Sequence, residues 1–182
     1  AWIARTAQAL GGLDILIPNA SALVGSASVD DWRRGLEVDI LGTVRAVEAA
    51  MPSLEQSNDA SVVAIASTAA VNISGNSMRA YSSHKAAIIS YMSGLSTVHG
   101  TDGIRANTVS PGAIYFKGGV WDVRKRETPE MYAAAAARSP FKRLGTPEEV
   151  ANAVVFLASP AASFISGTNL IVDGAATTRI QF

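Results

Sequence analysis

Ser61-Val62-Val63-Ala64-Ile65-Ala66 is the stretch that decides the fold: after its first residue it holds only small and β-branched apolar side chains. A strand with one wet face alternates apolar with polar residues. A strand without that alternation is buried on both faces, as in a parallel sheet covered by helices. Three further strands are expected on similar grounds, at Leu13–Ile17, Ile104–Val109 and Thr168–Val172. Helical patterns separate them. Ala1–Leu10 reads as a helix broken by Gly11-Gly12. Ser28 caps a long helix, about Val29–Leu54, with Asp31 at its third position and apolar residues at Leu36, Ile40, Val44 and Val47. A polar loop runs through Ser77, and a second long helix, from about Met78 to Val98, carries Tyr81, Lys85, Ile88, Met92 and Leu95. Ile114–Glu127 has no clean period and reads as a mobile loop. A short helix rich in alanine starts at Thr128-Pro129. Thr146-Pro147-Glu148-Glu149 joins a capping box to proline at the first helical position, starting a helix to Leu157. The alternation predicts an α/β fold, a doubly wound parallel sheet of Rossmann-like type, as one domain over residues 1–182 without internal repeats.

Composition narrows the function classes. The 182 residues are 48% apolar, and 15 basic side chains balance 15 acidic ones. No basic field exists to attract nucleic acid. The absence of cysteine excludes disulfides, thiol redox chemistry and zinc sites built on Cys. No apolar run reaches the roughly 18 residues that span a bilayer, and the first residues lack the pattern of a signal peptide. A cytoplasmic protein without a membrane partner is expected.

Tyr81-Ser-Ser-His-Lys85 sets a phenol and an amine four residues apart, on one face of a helix. At roughly 5 Å and an effective dielectric near 20, an ammonium favours the phenolate by about 3 kcal/mol. Such a pair suits proton exchange with a substrate oxygen; the ordinary alternative is a tyrosine packed inward beside a solvated lysine. Open parallel sheets bind ligands at the carboxyl ends of their strands. Pro18–Ser21, Ser67–Ser77 and Ser110–Gly119 are expected at that edge, so Ser67 and Tyr81 can face one crevice.

In order and spacing, Pro18-Asn19-Ala20-Ser21, Ser67, Tyr81-Ser-Ser-His-Lys85, Asn107-Thr-Val-Ser-Pro-Gly-Ala-Ile114, Arg143-Leu-Gly-Thr-Pro-Glu-Glu-Val150 and Ile165-Ser-Gly-Thr-Asn-Leu-Ile-Val-Asp-Gly174 resemble the short-chain dehydrogenase/reductase family over essentially the whole chain. The resemblance implies an oxidoreductase that moves a hydride between NAD or NADP and a small-molecule carbonyl/alcohol substrate. Tyr81 would be the general acid/base. Lys85 would lower the phenol's pKa and hold the cofactor ribose, and Ser67 would hold the substrate oxygen. Thr68 is a neighbouring rival for Ser67, and a strand-end turn cap is the structural alternative. Pro111, Gly112 and Ile114 match the nicotinamide-side loop, with a backbone group near Ile114 meeting the carboxamide. Asn19 and Ala20 match the adenine-side stretch. The family also implies packing of the two long helices against a partner, hence a homodimer or homotetramer.

Three departures stand out. The family has two asparagines, alanine and glycine where this chain has Pro18, Asn19, Ala20 and Ser21. Asp39, in Val38-Asp39-Ile40-Leu41-Gly42, stands where the family has an asparagine whose main-chain carbonyl holds a relay water. Asp39 is therefore a candidate catalytic residue through its backbone, or a carboxylate that pairs with Lys85 and competes with its action on Tyr81. Tyr115-Phe116-Lys117 replaces a usual threonine. No Gly-x-x-x-Gly-x-Gly turn precedes a strand, so the fold is expected to be N-terminally incomplete, by roughly two strand–helix units, with one sheet edge unpaired. A non-catalytic relative acting as a binding or scaffold module is the alternative of a different class. Another doubly wound enzyme, such as a methyltransferase, would have no reason to carry Ser67, Tyr81 and Lys85 in this order. Trp121, Phe116 and Met131 suggest a partly apolar substrate pocket.

Overall fold

The computed structural model describes residues 2–72 and 79–178. Four parallel strands stand side by side in chain order: β1 (Ile15–Leu16), β2 (Ser61–Ile65), β3 (Arg105–Pro111) and β4 (Asn169–Val172). The helices are α1 (Trp2–Leu10), α2 (Val29–Gly35), α3 (Gly42–Leu54), α4 (Ala80–Val98), α5 (Val120–Glu127), α6 (Pro129–Arg138) and α7 (Pro147–Ala158). Side chains alternate across a strand, so β2 feeds two cores. Val62 and Ala64 pack with Val47, Leu54, Ile88 and Met92. Val63 turns the other way, to Val109, Leu157 and Ala158. Helices therefore cover both faces, as the apolar run at Ser61–Ala66 requires.

Arg105 joins the second layer to the sheet. Its guanidinium donates to the carbonyls of Leu157 (2.6 Å), Ala158 and Ser159 (both 3.2 Å) at the end of α7, where helix carbonyls lack intrahelical donors. The start of α7 is closed as expected. Thr146 Oγ1 accepts from Glu149 N, and Glu149 returns the bond to Thr146 N.

Four expectations are corrected. Ile114–Glu127 is not wholly a loop, because Val120–Glu127 is helical. The cause is local: Asp122 lies in the first turn, Arg124, Lys125 and Arg126 lie in the last, and Asp122 Oδ2 accepts from Gly118 N at 3.0 Å. Strand β1 has only two paired residues and is not buried on both faces. Ile15 is 44% exposed, since β1 is the sheet's edge among the described residues. Leu36 does not face the core; the buried stripe of the long helix is Gly35, Asp39, Thr43 and Val47. Finally, that helix is not α-helical throughout: Leu36–Leu41 forms a π-helical turn between α2 and α3. The expected start of the next helix at Met78, and the polar loop beyond Asn72, lie outside the described residues.

Candidate active site

The π turn delivers Asp39 into the interior. Successive i+4 steps on an α-helix drift by about 40° each. The wider turn offsets part of that drift, so Gly35, Asp39, Thr43 and Val47 stay on one buried line. Wide turns of this kind recur at functional sites. Asp39 is almost wholly buried, with every acceptor engaged. Its Oδ1 accepts from Ser21 Oγ at 2.6 Å, its Oδ2 from Ala22 N at 2.9 Å, and its carbonyl from the Thr43 hydroxyl at 2.7 Å.

Lys85, also buried, reaches this carboxylate from α4. Its Nζ lies 3.2 Å from Asp39 Oδ1 and donates to the Ile65 carbonyl at 3.0 Å. The same Nζ is 5.7 Å from the centre of the Tyr81 ring, so tyrosine and lysine do share a helix face. An ammonium has three donors; with two directed at Asp39 and Ile65, one remains for a ligand hydroxyl. Ser67 ends β2. Its oxygen accepts from Ala69 N at 3.1 Å, capping a tight turn over Thr68–Ala70. That bond uses a lone pair and leaves the hydroxyl hydrogen free to donate, so the turn-cap role and a ligand role coexist. Ser67 also faces the Tyr81 phenol.

The electrostatics correct one expectation. The Tyr81 phenol is not pulled below its ordinary value of 10.0. Burial pushes it up, Asp39 adds to the rise, and the Ser67 contact opposes it. Lys85 is lowered from 10.5 by burial, against the support of Asp39. The ammonium is paired with the Asp39 carboxylate at 3.2 Å.

At the end of β3 and just past it, Pro111, Gly112 and Ile114 sit at the same sheet edge but make no hydrogen bond to the Lys85 cluster. Gly112 N donates to Val172 O at 2.9 Å, and a Cβ on Gly112 would lie 2.6 Å from Asp173 Cβ. Its glycine is thus explained by packing. Ile114 bridges Gly145 through its neighbours: Tyr115 N donates to Gly145 O, and Gly145 N to Ala113 O. The N–H and C=O of Ile114 itself engage no described protein group, leaving them open to a carboxamide. Asn19 and Ala20 line a separate cleft of about 440 Å³ with Trp2, Leu16 and Ile17, which reaches none of Ser67, Tyr81 or Lys85. No group of His, Asp or Glu among the described residues could hold a metal ion.

Two residues escaped the sequence reading. Ser21 was visible only as a departure from a family pattern, with nothing to say that it meets Asp39. His84 is buried on α4, packed edge-on against Trp32 at 5.2 Å, with Nδ1 lacking a hydrogen-bond partner among the described residues. Burial lowers its pKa below 6.5, and only glycine at position 35 leaves room for its ring.

Residues 1–177 match the family model described as enoyl-(acyl carrier protein) reductase. The chain is 40% identical over 181 residues to isoepoxydon dehydrogenase patN of Penicillium expansum, covering all of this chain and 70% of that one. A solved oxidoreductase of the short chain dehydrogenase/reductase family from Burkholderia thailandensis superposes with a TM-score of 0.84 at 33% identity, over 96% of this chain and 69% of that one. The chain belongs to the short-chain dehydrogenase/reductase family. As a member it is an oxidoreductase, and the doubly wound sheet follows the family's architecture. Another solved member, a 7 alpha-hydroxysteroid dehydrogenase complexed with NADH and 7-oxo glycochenodeoxycholic acid, superposes at 0.84 with 30% identity, covering 98% of this chain and 71% of that one. Within this short-chain dehydrogenase/reductase the free donor of Lys85, the free hydroxyl hydrogen of Ser67 and the unengaged backbone of Ile114 fit a nicotinamide cofactor and a carbonyl substrate.

Proposed function

We propose that this oxidoreductase interconverts a small-molecule ketone and its secondary alcohol with NAD or NADP, using Tyr81 as general acid/base. A bound nicotinamide supplies or accepts the hydride; this chain's residues handle the oxygen and the proton. In reduction, Ser67 donates its hydroxyl hydrogen to the carbonyl oxygen and orients it. Tyr81 then gives its phenolic proton to that oxygen as the carbonyl carbon gains a hydride, leaving alcohol and phenolate. Lys85 faces the phenolate and offers its remaining N–H to the cofactor ribose. The backbone of Ile114, beyond Pro111-Gly112, takes the carboxamide. Asn19 and Ala20 would line the adenine side.

The observation that carries this reading is the convergence of Ser67, Tyr81 and Lys85 at the carboxyl edge of β2. The raised phenol carries its proton at neutral pH, the form that reduction requires. The test is NADH and NADPH consumption with a panel of ketones, and the reverse reaction with isoepoxydon, for which the 40% relative is named. Tyr81→Phe should lose activity by at least about 10²-fold; equal rates would remove Tyr81 from the chemistry.

A homodimer or homotetramer accompanies this reading, supported by exposed Val29, Leu36, Val155, Phe156 and Phe164. Monomers in sedimentation at micromolar concentration would reject it. No helix among the described residues is long and apolar enough to cross a membrane, and a cytoplasmic location is the one proposed.

A further inference from the structure

Two of the positions where this chain departs from its family are in direct contact. Ser21 Oγ accepts from Leu23 N at 3.2 Å, so its single hydrogen is directed to Asp39 Oδ1 at 2.6 Å. The same Oδ1 faces Lys85 Nζ at 3.2 Å, and Ala22 N holds the other oxygen. The loop bends to make this clasp: Leu23 has φ +48, a left-handed conformation that a leucine with an exposed side chain has no intrinsic reason to adopt. The Asp39 carbonyl accepts from the Thr43 hydroxyl, and it is the side chain of Asp39 that meets Lys85.

We propose that Ser21 and the Asp39 carboxylate form a positioning pair for Lys85, tying the loop after β1 to the amine beside the reacting phenol. The inference rests on the oxidoreductase reading above. Lys85 touches the cofactor and the phenolate in that reading; Ser21 and Asp39 act only through it. The titratable groups facing the pair are Tyr81, His84 and Lys85, all from α4. The loop contributes a hydroxyl and an N–H, β2 contributes the Ile65 carbonyl, and α3 contributes the Thr43 hydroxyl. None of these last groups ionises near neutrality.

Both members act on Lys85 in the same direction. Asp39→Asn removes the charge that supports Lys85, so the lysine loses its proton at lower pH and the alkaline limb of activity moves down. Ser21→Ala removes the hydroxyl that fixes the carboxylate against Lys85, so the same limb moves down by less. In Ser21→Ala, kcat falls between about 10- and 100-fold, with KM nearly unchanged, and Ser21→Thr, which keeps the hydroxyl, recovers most of it. In the Asp39→Asn background, Ser21→Ala has no further effect on the pH profile.

The deciding experiment pairs kcat and KM across pH with NMR titration of labelled Lys85 Nζ in each variant. Support is a downward move of the lysine titration in Asp39→Asn, a smaller one in Ser21→Ala, and non-additivity in the double variant. Unmoved titrations in the single variants, or strictly additive effects on the profile, overturn the proposal. If no carbonyl compound is turned over by the unsubstituted protein, the oxidoreductase reading falls, while the titrations still decide whether the pair holds Lys85.

Discussion

At Tyr81 burial outweighs the neighbouring charge. Desolvation and Asp39 hold the phenol above 10.0, so at neutral pH it is protonated. Carbonyl reduction, which consumes that proton, is expected to vary little between about pH 6 and 8. Alcohol oxidation, which needs the phenolate, should rise by close to tenfold per unit over the same range. Steady-state rates in both directions check this, and an oxidation rate that levels off near pH 7 would contradict it. The pair Tyr81/Lys85 and its partner Ser67 were legible in the sequence because four-residue spacing and strand–loop order are local properties. The sign of the phenol's shift was not, since desolvation is set by tertiary packing. Nor was the clasp from Ser21, which bridges 18 residues to Asp39. A second prediction belongs to Gly35, where an added Cβ would lie 2.2 Å from His84 Nδ1. Gly35→Ala forces the ring away and should cost about 1–3 kcal/mol in urea unfolding. Because the displaced ring adjoins Lys85, activity should fall with it; an unchanged midpoint would mean that the helices separate freely.

Among the elements, those with a strong period or a cap were readable and those shaped by contacts were not. Helix α7 announced itself through Thr146-Pro147-Glu148-Glu149, and Thr146→Ala should destabilise the protein by about 1 kcal/mol. Helix α5 has no apolar stripe and is held by polar and cation–π contacts: Tyr115 donates to Asp122 at 3.0 Å, and Lys125 sits over the rings of Tyr115 and Tyr132. The π turn escaped a reading that assumed 3.6 residues per turn, which placed Leu36 inward in place of Gly35. Strand β1 was overestimated because its apolar composition says nothing about which neighbour pairs with it. Arg105 shows how far an element's stability can lie from its own sequence, since the end of α7 depends on a side chain from β3, 52 residues earlier. Arg105→Met leaves the Ala158 carbonyl without a donor, while Leu157 keeps Ser61 Oγ and Ser159 keeps Ala162 N. A loss of about 1–3 kcal/mol is expected, read as a lower urea midpoint with an unchanged slope. Arg105→Lys, with one point charge in place of a fork, should recover only part of it.

For the molecule as a whole, the same shifts set how stability depends on pH. His84 is buried without a partner for Nδ1 among the described residues, and its pKa lies below the ordinary 6.5. The unfolded chain therefore binds a proton at this residue before the folded one does, and stability is full above 6.5 and declines as pH falls below it. Lower down, Glu149 is depressed from 4.5 to about 2 by its paired bonds to Arg143 and the N–H of Thr146, so its contribution is present above 4.5 and lost as pH falls toward 2. On the alkaline side the effects oppose each other. Raised Tyr81 and Tyr91 withdraw stability above 10.0, whereas lowered Lys85 returns some as pH approaches 10.5. The expected melting profile is thus a plateau above pH 7, a first decline beginning near 6.5, and a second below 4.5, with a shallow alkaline edge. His84→Asn should remove the first decline and leave the second in place, whereas Glu149→Gln should leave the first and make the second shallower, since Asp31, Asp122 and Glu148 are depressed as well. Thermal unfolding from pH 2 to 10 distinguishes these outcomes: a wild-type profile flat from pH 7 to 5 would mean that His84 is hydrated in the folded state, and that the packing between α2 and α4 is looser than the Gly35–His84 contact requires.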